Sequence, residues 1–179
     1  MQKIGVFLSS RSEISPSFHA AAEAVGHWIG STGRTLIYGG SSCGLMEVLA
    51  RSVRESGGRV FGVVPQILYD RKRVSTLLDV EFRTTDLHDR KAVLMRESDI
   101  FVVLPGGTGT LDEMFTVLAA NAIGTDSKRV LLYNVDDCWK PLLETLDGLT
   151  QQGLIGHELQ ESFRVVASIE ELEAVCREA

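Results

Sequence analysis

The chain has 179 residues, 44% of them hydrophobic and 23% charged, with a net charge of −6. A chain of this length buries roughly 70% of its unfolded surface, so a single domain over residues 1–179 is expected, with no need of disulfides or a metal to fold. Disordered and collagen-like classes are excluded on composition. No apolar run reaches membrane-spanning length, and the acidic balance argues against nucleic acid as a partner.

Short apolar runs alternate with helical patterns along the chain. Residues 4–8 read as a first strand rather than a signal peptide. Ser15 and Pro16 suit an N-cap and first helical position, and Phe18, Ala21, Ala22, Val25, Trp28 and Ile29 then recur at helical spacing. Gly33 ends that helix. Residues 35–38 form a second strand, 44–56 a helix stopped by Gly57 and Gly58, and 59–64 a third strand ended by Pro65. The stretch 66–78 is irregular and carries Arg71, Lys72 and Arg73. A short strand is expected over 80–84, then a helix capped by Asp86 and running to about Ser98. Residues 100–104 are uniformly apolar, as at the centre of a sheet.

Leu111, Met114, Phe115 and Leu118 mark the next helix, residues 130–133 a strand, and Trp139, Leu142, Leu143, Leu146 and Leu149 a helix stopped near Gly153. Residues 163–166 are the last strand. Ser168 and Glu171 form a capping box for a final helix. Cys43, Cys138 and Cys176 are odd in number and far apart, which fits neither a disulfide framework nor a zinc site; a reducing cytoplasm is the simplest compartment.

Repeated strand–helix alternation implies right-handed crossovers and a Rossmann-like, doubly wound parallel sheet in three α/β/α layers. A TIM barrel needs eight such units. Ligands in a doubly wound sheet bind beyond the carboxyl ends of the strands. Three segments occupy such places: Ser9-Ser10-Arg11, Gly39-Gly40-Ser41-Ser42, and Pro105-Gly106-Gly107-Thr108-Gly109-Thr110.

The last of these is the strongest chemical signal. A buried strand runs through a glycine-rich turn directly into a helix, whose first N–H groups and partial positive charge suit a phosphate. No Lys-Ser or Lys-Thr pair follows the last glycine, so it is not a Walker A loop. It does not follow the first strand, so a dinucleotide fingerprint is excluded and a mononucleotide or sugar phosphate fits better. Glu113, in the helix behind the loop, either complements the helix dipole or serves the site by orienting water or steadying positive charge. Among His88, Asp89, Arg90 and Lys91 on the preceding helix, only some can face a ligand, because neighbours point about 100° apart. No residue group has metal-ligand spacing, and no nucleophile elbow is present.

Together these residues resemble the LOG (Lonely Guy) family of cytokinin riboside 5′-monophosphate phosphoribohydrolases, over roughly residues 3–155. The family hallmark Pro-Gly-Gly-x-Gly-Thr-x-x-Glu stands intact from Pro105 to Glu113. Its Arg-Lys pair is matched by Arg90 and Lys91, its second glycine loop by Tyr38-Gly39-Gly40 with Gly44-Leu45-Met46, and a further stretch by residues 57–65. The resemblance implies a nucleotide-binding homodimer that cleaves the N-glycosidic bond of a nucleoside 5′-monophosphate, here a purine nucleotide with AMP as first candidate. It assigns Arg90 and Glu113 as the catalytic pair and Gly106, Gly107, Thr108, Gly109 and Thr110 as the phosphate cradle. Ser9, Gly39, Gly40 and Lys91 join the substrate-binding set, and neither metal nor cofactor is implied.

Several positions depart from the family. Thr108 stands for its usual Tyr and Glu47 for a Gly. Arg71-Lys72-Arg73 occupies a loop where an acidic base contact is common, and residues 117–124 lack the family's Thr, Trp and Gln. These departures bear on substrate identity and keep a non-catalytic alternative open: a nucleotide sensor or a carrier of a phosphate-bearing cofactor, such as a molybdenum cofactor carrier. The helix over 111–123 is apolar almost all round, which suits either a dimer interface or burial within one chain.

Overall fold

The computed structural model describes residues 2–156 and 158–177. Its strands are β1 (Lys3–Phe7), β2 (Thr35–Tyr38), β3 (Arg59–Pro65), β4 (Val80–Thr84), β5 (Ile100–Val103), β6 (Arg129–Tyr133) and β7 (Phe163–Val166). They form one seven-stranded sheet in the order β4-β3-β2-β1-β5-β6-β7. Every pairing is parallel. The helices are α1 (Pro16–Ser31), α2 (Gly44–Glu55), α3 (Gln66–Asp70), α4 (Leu87–Glu97), α5 (Thr108–Ala122), α6 (Lys140–Gln151), α7 (Glu158–Ser162) and α8 (Ile169–Arg177). None of them is long and apolar enough to cross a membrane among the described residues.

The period-two alternation of the strands sorts the core into two layers. Ile4, Val6 and Leu8, with Ile100, Val102 and Leu104, face one side, where α1, α2 and α8 supply Ala22, Val25, Leu49, Val53 and Leu172. Phe7, Phe101 and Val103 face the other, against Val93 and Leu94 of α4 and Met114, Val117 and Leu118 of α5. Phe7 and Phe101 stack with ring centroids 4.9 Å apart on the central strands. This is the doubly wound, three-layer Rossmann-like arrangement expected from the sequence.

Local signals set several boundaries. Asp86 caps α4 by accepting hydrogen bonds from the N–H groups of His88 (2.8 Å) and Asp89 (2.9 Å). Ser168 caps α8 by accepting from the Glu171 N–H at 3.2 Å. The Glu171 carboxylate reaches past Ser168 to the Ala167 N–H at 2.7 Å, one residue further out than a standard capping box. The helix α5 begins at Thr108, earlier than the apolar period starting at Leu111, because the glycine loop itself enters the first turn. Short α3 and α7, too brief to show a period, lie in stretches the hydrophobic pattern left irregular.

Helices α1 and α2 pack closely at Gly30. A Cβ there lies 2.6 Å from the Val53 carbonyl oxygen and 2.6 Å from Ser56 Cβ. Gly148, inside α6, has open space where its Cβ would go. Gly30→Ala is therefore expected to destabilise by about 1–3 kcal/mol through overpacking, and Gly148→Ala to stabilise by about 0.4–1 kcal/mol by restricting the unfolded chain. Urea unfolding of both variants checks this; a neutral Gly30→Ala rules out the tight helix contact.

Candidate active site

From β1 the sheet grows one way through β2, β3 and β4 and the other way through β5, β6 and β7. The crossovers diverge at the β1–β5 junction and open a crevice at the carboxyl ends of the strands. The two strand ends are tied there, the Ser9 N–H donating to the Pro105 carbonyl at 3.1 Å. A cavity of about 550 Å³ occupies the crevice, within the range of small-molecule sites.

One wall of the cavity is the loop from Pro105 to Thr110. Gly107 is the N-cap of α5, and the Leu111 N–H closes the first helical bond to its carbonyl at 3.0 Å. The N–H groups before Leu111 have no intrahelical acceptor and carry the positive end of the helix dipole. Glycine is required at Gly106 by space: a Cβ would lie 2.0 Å from Oγ1 of Thr110, whose side chain folds back under the loop. The turn thus presents backbone donors at a helix start, an arrangement suited to an anion.

Arg90 and Glu113 meet in the same cavity. Arg90 Nη1 lies 2.9 Å from Glu113 Oε1, with the two side chains 13% and 8% exposed. Arg90 Nε also donates to the Val63 carbonyl at 3.2 Å. A Cβ on Gly39 would sit 1.9 Å from Arg90 Nη2, so Gly39 leaves the room that the guanidinium fills. Burial pushes the Glu113 carboxyl above its ordinary pKa and outweighs the opposing pull of Arg90, the nearest cation.

The sequence candidates divide. Ser9, Arg90, Glu113 and the five residues Gly106, Gly107, Thr108, Gly109 and Thr110 line the cavity. Gly39, Gly40 and Lys91 are not among its lining residues. Gly39 supports Arg90 from beneath, and Gly40 accepts a backbone bond from Ser75 at 2.9 Å. Lys91, one helical step round from Arg90, pairs with Asp112 at 2.9 Å. The sequence reading did not single out the apolar wall of Ile14, Phe18, Met46, Ile67, Leu68 and Leu87, for which no local pattern exists. Arg11, Arg71 and Arg73 also line the cavity; their basic character is visible in the sequence, their inward placement is not. No group of three or more His, Cys, Asp or Glu could hold a metal ion among the described residues.

The chain belongs to the LOG family. The profile of the family described as "Possible lysine decarboxylase" matches residues 46–176. The chain is 33% identical over 171 residues to cytokinin riboside 5′-monophosphate phosphoribohydrolase LOG5 of Arabidopsis thaliana, covering 96% of this chain and 75% of that one. It is 36% identical over 154 residues to LOG7 of the same plant, covering 86% and 71%. Among solved structures it is similar to the molybdenum cofactor carrier protein of Chlamydomonas reinhardtii, with a TM-score of 0.75 and 22% identity over 99% of this chain and 96% of that one. That likeness is one of fold. The decarboxylase description does not fit the cavity: a pyridoxal phosphate enzyme needs a Schiff-base lysine, and no lysine lines it.

The raised pKa of Glu113 has a consequence for stability. The folded protein holds this proton more tightly than the unfolded chain. The resulting stabilisation is complete below the ordinary carboxyl value of 4.5 and is lost as pH rises through the folded value. The unfolding free energy of the wild type is expected to fall relative to that of Glu113→Gln as pH rises from about 4 toward neutrality. Urea titrations of the two proteins at a series of pH values measure the difference; a slope of the opposite sign means that Arg90, not burial, dominates.

Proposed function

We propose that this chain hydrolyses the N-glycosidic bond of a purine nucleoside 5′-monophosphate, releasing the base and ribose 5-phosphate, with AMP as the first substrate to assay. The observation that carries the reading is the Arg90–Glu113 pair, buried in one cavity with a glycine-rich helix start. LOG5 and LOG7, named as phosphoribohydrolases of cytokinin riboside 5′-monophosphates, support the same bond and the same phosphate.

The mechanism follows from the parts. The 5′-phosphate binds the N–H groups of residues 106–110, and this remote binding holds the sugar over the pair. The C1′–N bond breaks with its electron pair going to the base, leaving oxocarbenium character on the ribose. The Glu113 carboxylate, ionised, faces that charge and orients water for attack at C1′. The water's proton passes to Glu113 and returns from it, by way of solvent, to the departing base, so Glu113 ends ionised and the balance is nucleotide plus water to base plus ribose 5-phosphate. Arg90 holds Glu113 in place and binds a phosphate or ribose oxygen with its fork. Ser9 contributes from the β1 end. No cofactor enters this scheme.

Removing a transition-state group of this kind costs on the order of a hundredfold or more in rate. Glu113→Gln is expected to lose turnover by at least that factor while still binding nucleotide. Arg90→Ala should lose both, and an unphosphorylated nucleoside should react poorly. Release of ribose 5-phosphate and calorimetric binding separate these outcomes. Equal rates for wild type and Glu113→Gln remove Glu113 from the chemistry. Tight nucleotide binding without turnover in the wild type favours the carrier or sensor alternative.

A homodimer built on α5 is part of the same proposal. Met114, Val117 and Leu118 of this helix are buried within the chain, whereas Phe115 and Ile123 are 37% and 76% exposed, and Ala119 and Ala122 beside them are also exposed. Apolar exposure along one helical stripe suits a second copy of the chain. Light scattering of the wild type should give a dimer at micromolar concentration, and Phe115→Glu combined with Ile123→Glu a monomer. A monomeric wild type overturns it.

A further inference from the structure

The cavity has two differently built ends. At the β5 end stand the glycine loop and, from the neighbouring β1, Arg11. At the β3 end stand Arg71 and Arg73. The strands β5 and β3 are three places apart in the sheet and β2, to whose loop the arginine turn is tied, two places from β5, so the two ends lie on the order of 10–14 Å apart at ordinary strand spacing. That span matches the reach of an extended nucleoside monophosphate, so a ligand with its phosphate on the glycine loop directs its base toward Arg71 and Arg73.

This arginine end is held in a fixed turn. The Arg71 N–H donates to the Ile67 carbonyl (3.2 Å) and the Arg73 N–H to the Leu68 carbonyl (2.9 Å). The Ser42 N–H donates to the Arg73 carbonyl and the Ser75 N–H to the Gly40 carbonyl, each at 2.9 Å, on either side of an antiparallel bridge between Ser41 and Val74. Lys72, between the two arginines, takes a left-handed backbone with φ of 53°; it does not line the cavity, whereas both its neighbours do. Neither arginine's guanidinium has a hydrogen-bond or ion-pair acceptor among the described residues, and Glu113 is the only acid lining the cavity there.

A guanidinium is a donor-only fork. The purine edge it matches is one with two adjacent acceptors, O6 and N7, as in guanine and hypoxanthine. Adenine offers N7 beside a 6-amino donor, which faces the fork donor to donor. Resting on the hydrolase reading above, we infer that Arg71 and Arg73 form the base-recognition end of the cavity and that the preferred substrates are 6-oxopurine nucleoside 5′-monophosphates. The same contact assists departure of the base, because the electron pair released from C1′ spreads onto the ring atoms that the guanidinium engages.

The test compares IMP, GMP and AMP, of which IMP and AMP differ only in the oxo or amino group at C6 and the N1 proton that goes with it. For the wild type, kcat/KM for IMP and GMP is expected to exceed that for AMP by about tenfold or more, the range of one good bidentate contact. In Arg71→Ala combined with Arg73→Ala the ratio should collapse toward one. Both side chains are exposed, so circular dichroism should find the fold intact. AMP equal to or better than IMP, or a ratio unchanged in the double variant, overturns the inference. If no nucleotide is hydrolysed, the hydrolase reading fails while the recognition claim is still decided: calorimetry must show IMP bound more tightly than AMP by the wild type and not by the double variant.

Discussion

The buried ion pair of Arg90 and Glu113 is the constraint around which this structure is arranged. Withdrawing two charges from water costs several kcal/mol per ion, and their mutual attraction regains it only when geometry and further hydrogen bonds are good. Here the arginine has a second acceptor in the Val63 carbonyl, while the acid is buried enough that its pKa rises despite the cation beside it. A pair so placed is a poor device for stability. The hydrolase reading proposed above gives it a chemical use: a carboxylate stripped of water and steered by one cation can meet a cation that forms during a reaction.

The neighbouring parts can be read as consequences. The pair joins α4 and α5, the helices before and after the central strand β5, at the point where the sheet reverses its direction of growth. Gly39, at the end of β2, lacks the Cβ that would displace the guanidinium. Asp86 starts α4 with two side-chain hydrogen bonds and Val93 and Leu94 seat it on the core, so that Arg90 meets Glu113 and Lys91 meets Asp112. Gly106 admits the Thr110 side chain and so lets the loop close into the first turn of α5, one and a half turns before Glu113. Loop, helix and acid are therefore one rigid unit rather than three independently placed features.

How much of this was legible in the sequence depends on whether the signal is local. The alternation in β1 and β5 separates Ile4 and Val6 from Phe7, and the two core layers repeat that separation. The Asp86 cap, the strand 100–103 and the strand-to-helix glycine turn are short-range patterns, and their structures follow them. Contacts between distant segments leave no such trace. Gly39, singled out at the end of the second strand, and Lys91, from the family's Arg-Lys pair, also take part in such contacts: Gly39 makes room for Arg90 and Lys91 pairs with Asp112. The run Arg71-Lys72-Arg73 stands in a stretch without period; Lys72 takes a left-handed backbone, and its two neighbours line the cavity while it does not.

The distribution of charge follows from the same division. The chain as a whole carries a net charge of −6, yet the cavity is lined by Arg11, Arg71, Arg73 and Arg90 against the one acid Glu113. The net negative charge repels other polyanions only within about a Debye length, roughly 8–10 Å at physiological salt. A small anion that reaches the crevice meets charge of opposite sign, to which the helix start of α5 adds its own partial charge. Arg90 is partly neutralised by Glu113, so the excess positive charge lies at the two ends rather than at the centre. A ligand drawn in by that field is one with acceptors at both extremities and a neutral, electron-poor middle, over the carboxylate. A nucleotide has this form: phosphate at one end, base acceptors at the other, and between them the ribose carbon that becomes positive when its bond to the base breaks.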